Sequence, residues 1–213
     1  MQKNVKSYTS VIPLIELIDR IRFATVFLFT GLALLLYIYT GINLGIILLV
    51  LGLAGATYSG LRIRAVDADI KMALYSRVLL GVRIGLISTA VYDVLRIVLY
   101  CLKIVEVYPF EAFNLFGQAI LGTYESSQFA FAVGTMSHVL NGVCFSISYC
   151  ILMQGKPFYW GMLWGLGLQS TMMMVYPNWL QLSDSMTDFI IISMVGHWGY
   201  GLALGLLNRA KNP

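Results

Sequence analysis

Between Phe23 and Leu61 the chain carries no charged residue, and four more apolar stretches follow before residue 208. About 20 apolar residues in a helix cross the roughly 30 Å hydrocarbon layer of a bilayer. In that layer the backbone amides find no water, so a stretch of this length must satisfy them as a helix or inside a closed barrel. Barrel strands alternate apolar and polar residues, whereas these stretches are continuously apolar. The chain is 11% charged and 59% hydrophobic, with a mean hydropathy of +0.79, while soluble domains are about 25% charged. The expected fold is therefore all-α, a polytopic membrane helical bundle whose main partner is the lipid bilayer.

Six spans are expected, at about 23–40, 43–60, 79–104, 128–152, 158–176 and 188–207. Residues 1–22 read as an amphipathic N-terminal segment on the membrane surface, with Val11, Leu14, Ile15, Ile18 and Ile21 as its apolar stripe. Residues 23–213 read as a single transmembrane domain. The first apolar stretch is preceded by Glu16, Asp19, Arg20 and Arg22 and shows no small-x-small cleavage site, so it is expected to be a span rather than a cleaved signal. Residues 61–78, rich in charge, read as a polar loop or short surface helix. Pro109 breaks the stretch 105–127, and Phe113 to Leu121 read as a short helix at the interface.

Lys and Arg set the orientation. With the N-terminus inside, eleven of the fourteen basic residues face the cytoplasm, Lys3, Lys6, Arg62, Arg64, Lys71, Lys156, Arg209 and Lys211 among them. Glu106, Glu111, Glu125, Asp184 and Asp188 fall on the other side. Both termini are thus expected in the cytoplasm. No Lys/Arg-plus-aromatic clusters suggest nucleic acid as a partner. Cys101, Cys144 and Cys150 lie in expected spans without metal-site spacing and read as packing residues.

Ionisable groups inside such spans are costly, and they mark candidate sites. His138 and His197 are the only histidines of the chain. At ~1.5 Å per residue they lie about 15 Å and about 14 Å into their spans, and Asp93 lies about 17 Å into its own. Polar or small residues recur at spacings of three and four through that level. They include Tyr92, Asp93 and Arg96 on the third span, His138, Asn141 and Gly142 on the fourth, Gly161, Gly165 and Gln169 on the fifth, and His197, Tyr200, Gly201 and Gly205 on the sixth. The expected ligand or proton site is Asp93, Arg96, His138, Asn141, Gln169, His197 and Tyr200. The first two spans, without charge, read as packing or lipid-facing helices. Gly52, Ala56 and Gly60 read as a close-packing face, and the glycine-rich faces together offer a route to a homo-oligomer.

These residues admit several chemistries. Asp93 and Arg96, three apart, suit an intrahelical ion pair, or a site in which Arg96 holds an acidic ligand group while Asp93 exchanges a proton. The histidines suit hydrogen-bonded core positions with Asn141 or Tyr200 as partners, or protonatable groups, since imidazole titrates near neutral pH. They also suit ligation of haem or, with Asp93, of a divalent metal. No nucleophile elbow, phosphate loop or zinc-protease motif supports a hydrolase.

The string Ser137-His138, Phe145-x-x-x-Tyr149-Cys150, Gly161-x-x-x-Gly165, Pro177, Gly196-His197 and Leu206-Leu207-Asn208-Arg209 resembles the YagU-like family of bacterial inner-membrane proteins. The likeness covers roughly residues 130–209. It implies a multi-pass protein of the bacterial inner membrane, a link to survival under acid stress, and His138 and His197 as shared polar landmarks. It implies no catalytic residue.

The leading expectation is an integral membrane protein whose buried His/Asp/Arg site binds a small molecule or exchanges protons, in transport or pH sensing rather than catalysis. A haem- or metal-binding membrane redox protein or enzyme is one alternative, and a structural membrane scaffold is another.

Overall fold

In the computed structural model, the described residues are 11–124, 127–153, 155–180 and 185–209. Lys3, Lys6, Glu125, Asp184 and Lys211 lie outside them. The chain folds as α1 (Val11–Val26), α2 (Phe29–Thr40), α3 (Leu44–Arg64), α4 (Ala68–Cys101), α5 (Glu111–Leu121), α6 (Gln128–Leu152), α7 (Tyr159–Trp179) and α8 (Met186–Arg209). No strand occurs among the described residues. Four helices, α3, α4, α6 and α8, are long and apolar enough to cross a membrane. The bent pair α1–α2 makes a fifth if it is counted as one span. The 21 residues of α7 do not reach the same apolarity, because Gln169, Ser170, Thr171 and Asn178 dilute it.

Three elements depart from the sequence-based expectation. First, the polar connection expected over residues 61–78 is confined to residues 65–67, and the rest of the stretch belongs to two long helices. α3 runs to Arg64, and α4 starts at Ala68 and continues for 34 residues, about 51 Å at the usual rise. Residues 61–80 contain neither glycine nor proline, so apart from the break at 65–67 the charged residues continue the two helices.

Second, the boundary between residues 22 and 23 falls inside a helix, because α1 runs on to Val26. The break comes later, where Phe27 N–H and Leu28 N–H bond back three residues to the Ala24 and Thr25 carbonyls at 3.1 Å each. This tightened turn sets α2 off from α1 by 51°. Ser148 of α6 donates to the Ala24 carbonyl at 2.7 Å and so anchors the break to the core. Ser148→Ala is expected to cost about 1 kcal/mol, measured as a lowered thermal midpoint in detergent.

Third, α5 does not stand apart from the long helices but packs along α6. Gly134 of α6 meets Phe113, and Gly117 of α5 meets Ala130. The paired numbers fall on one element as they rise on the other, so α5 packs antiparallel along the first half of α6. Its N-terminal end thus lies nearer the middle of α6. The stretch from Leu102 to Phe110 dips into the bundle before α5 climbs back out. Asp188, in the first turn of α8, fastens this dip by accepting from the Glu106 and Val107 amides at 2.6 and 3.2 Å.

Glycines set the remaining contacts. The Gly81 and Gly85 face of α4 lies against the Ile147 and Val143 backbone of α6, and Gly161 and Gly165 of α7 lie against Gly201, Gly205 and the His197 carbonyl of α8. The glycine-rich faces of α7 and α8 therefore pack against each other within one chain. Of the expected Gly52–Ala56–Gly60 face only Gly52 packs inside the chain, where a Cβ would lie 3.5 Å from the Phe29 ring; Ala56 and Gly60 are exposed, and a Cβ on Gly60 would meet nothing within 4 Å. At the basic end Asp19 is buried and pairs with Arg62 at 2.7 Å and Arg22 at 3.5 Å, joining α1 to α3.

Candidate functional site

Positions 89, 92, 93 and 96 of α4 share one face by their spacing of three and four. Close approach of α6 and α8 turns that face into a wall. A Cβ on Gly142 would collide with the Thr89 side chain, and one on Gly196 would lie 2.6 Å from the Tyr92 ring. Glycine at these two positions lets the neighbouring helices come near enough for their side chains to meet across the gap.

Asp93 stands at the centre. Its Oδ1 lies 3.1 Å from His138 Nε2 and 3.4 Å from Arg96 Nη1. An ionised carboxylate only accepts, so the closer contact requires a proton on Nε2. The Arg96 contact is longer than the 2.7–3.2 Å usual for such a bond. Arg96 is only 8% exposed. Its guanidinium sits 5.0 Å from the Tyr92 ring centre, 5.4 Å from that of Phe110 and 5.9 Å from that of Phe113. The faces of these rings attract the cation without accepting its N–H groups in the way an oxygen would.

Tyr92 links the two histidines, with ring centres 5.6 Å from His138 and 5.0 Å from His197. Phe113 packs on His138 at 4.8 Å. His197 Nδ1 donates to the Ser193 carbonyl at 2.8 Å. The Ser193 hydroxyl in turn donates to Gln169 of α7. Thr30 of α2 donates to Asn141 at 2.7 Å, and Tyr200 donates to the Gly142 carbonyl at 2.5 Å.

A cavity of about 1010 Å³ opens over this constellation. Arg96, His138, Asn141, His197, Tyr200 and Ser193 contribute its polar wall, and leucines of α2 and α3 contribute an apolar one. Asp93 and Gln169 are not on the wall. They stand behind it, Asp93 holding His138 and Arg96, and Gln169 holding Ser193.

All seven expected site residues thus belong to one neighbourhood, with some roles reassigned. Asn141 and Tyr200 are not the partners of the histidines; those partners are Asp93 and Ser193. The first span is not a bystander, since Thr30 reaches Asn141 and Leu28, Leu32 and Leu35 line the cavity. The histidines and Asp93 do not form a three-ligand metal site, and among the described residues no three His, Cys, Asp or Glu side chains converge as ligands would. The His138 nitrogen nearest a charged partner is already engaged by Asp93, and Tyr92 packs against both imidazoles.

Tyr92, Thr30, Ser193, Phe110 and Phe113 complete the site beyond the expected set. Ser193 carried a signal, because it precedes His197 by four and so shares its helix face. Phe110 and Phe113 carried none, since only the dip before α5 brings them to Arg96.

Comparison with known protein families, with curated proteins and with solved structures finds no match for this chain.

Proposed function

We propose that this protein is a six-span protein of the bacterial cytoplasmic membrane, with both termini on the cytoplasmic side, that binds a small molecule in linkage with protons, for transport or pH sensing. In this reading α7 and the bent α1–α2 pair serve as the fifth and sixth spans alongside α3, α4, α6 and α8. The observation that carries the reading is His138, which lies on the wall of a large cavity with its Nε2 3.1 Å from a carboxylate that is itself off that wall. A charge on that ring would face whatever occupies the cavity. The gathering of Arg62, Arg64, Lys71, Lys156 and Arg209 at the ends away from the cavity supports the orientation. We further propose that residues 130–209, by their resemblance in short motifs, share a YagU-like origin and its link to acid survival, which accords with a protonatable site.

The test is a thermal-shift screen of small organic molecules on purified protein in nanodiscs at pH 6 and pH 8. Stabilising ligands are expected, worth about 2.7 kcal/mol at a hundredfold excess over Kd. Their effect is expected to depend on pH in the native protein and to lose that dependence in His138→Gln. Ligand stabilisation with the same pH dependence in His138→Gln and His197→Gln would discard the proton linkage. A screen without any stabilising molecule would discard the binding function.

A further inference from the structure

The cavity wall carries one buried cation whose hydrogen-bonding capacity is mostly unused. A guanidinium has five N–H donors. Arg96 makes a single long hydrogen bond, to Asp93 at 3.4 Å, and its Nε is buried without a hydrogen-bond partner among the described residues. Tyr92, Phe110 and Phe113 hold the flat group by their faces and leave its donors unmatched. A carboxylate satisfies such a fork with two parallel bonds. The rest of the cavity is largely apolar, with Leu28, Leu32, Leu35 and Leu48 on the α2–α3 side.

Charge balance then brings in a proton. Arg96 and Asp93 offset each other, so a monoanion entering alone would leave one uncompensated negative charge in a poorly solvated chamber, which is costly. His138 lies nearer to Asp93 than Arg96 does, at 3.1 Å against 3.4 Å. A proton on His138 gives Asp93 its own cation and frees the Arg96 fork for the ligand. The other titratable groups facing this region are Tyr92 on α4, Tyr108 before α5, Glu111 on α5, Tyr176 on α7, and His197 and Tyr200 on α8; α2 brings Thr30 and no ionisable group. Glu111 is the only acidic side chain on the cavity wall among the described residues, and it is exposed at the start of α5.

Resting on the reading of the cavity as a small-molecule site, we propose that its ligand is an amphipathic monocarboxylate, bound through its carboxylate by Arg96 and its apolar body by the α2–α3 leucines, and that each molecule binds together with one proton carried by His138. No bond is made or broken in the ligand; a carboxylate and a proton enter as a neutral pair.

The experiment compares three soluble probes of one shape, 4-phenylbutyrate, 4-phenylbutyramide and 4-phenylbutylamine. They are titrated calorimetrically into the full chain in zwitterionic nanodiscs, with empty nanodiscs subtracted. Running each titration in two buffers of different ionisation enthalpy counts the protons. The carboxylate is expected to bind at least tenfold more tightly than the amide or the amine, to take up close to one proton, and to bind more tightly at pH 6 than at pH 8. Arg96→Gln is expected to lose at least tenfold in carboxylate affinity. His138→Gln is expected to lose the proton uptake and to bind the carboxylate at pH 6 as weakly as at pH 8. Equal binding of acid and amide would overturn the ligand assignment even if neither variant could be purified. Tighter binding of the amide or amine, with proton linkage through His138 intact, would overturn this inference and leave the small-molecule reading standing. No binding by any of the three probes, together with a thermal-shift screen without a ligand, would overturn both.

Discussion

Asp93→Ala is expected to lower the stability of the folded protein by about 3 kcal/mol, because it strips a buried cation of its carboxylate. Arg96 is 8% exposed, and among the described residues Asp93 is its only anionic contact. Truncating Asp93 leaves the guanidinium among three aromatic rings, where it cannot shed its charge. Arg96→Gln is expected to cost less, since Asp93 keeps His138 at 3.1 Å and a carboxylate can take up a proton when its partner goes. The double variant Asp93→Ala with Arg96→Gln is expected to recover much of the loss by removing both charges. Thermal unfolding of the four proteins in the same detergent closes a double-mutant cycle. Losses in the double variant that equal the sum of the singles would show that Asp93 and Arg96 do not act as a pair.

The same site shows what the sequence could and could not carry. Counting helix rise from the ends of α4, α6 and α8 put Asp93, His138 and His197 at one level, and helix spacing put Arg96, Asn141 and Tyr200 on the same faces. Depth and face are local properties of a helix, so they are legible. Which groups touch is decided by helix rotation and approach, and these are set by glycines on the partner helix. Gly142 admits Thr89 and Gly196 admits Tyr92, and neither pairing has a signature in one chain. Asn141 was therefore matched to a histidine when the real partner, Thr30, lies 111 residues away. Charge misled in the same way at residues 61–78. Charge reports where helix meets water; the break itself is confined to residues 65–67, and the charged residues on either side stay helical. The dip before α5 was the least legible element, because Pro109 signals a turn and not its depth.

Gly134→Val is expected to be the most damaging substitution at a helix contact. A Cβ there would collide with the Phe113 carbonyl of α5, a backbone atom that cannot rotate away. The two helices must separate, at a cost of about 3 kcal/mol, and Phe113 must leave the face of His138, where its ring centre now lies at 4.8 Å. The loss should therefore reach the cavity as well as the fold, weakening the grip on Arg96, over which Phe113 also stands. Gly60→Ala supplies the opposite case. Its Cβ would meet nothing within 4 Å, and alanine gains about 1 kcal/mol over glycine in a helix interior, so the variant should be as stable as the native protein or more so. Thermal midpoints of Gly134→Ala, Gly134→Val and Gly60→Ala in one detergent decide the matter. If Gly134→Ala behaves like Gly60→Ala, then α5 is not seated on α6 as described. Phe110 and Phe113 would lose their place beside Arg96, and the aromatic enclosure that holds the cation against the cavity would have to come from elsewhere in the chain.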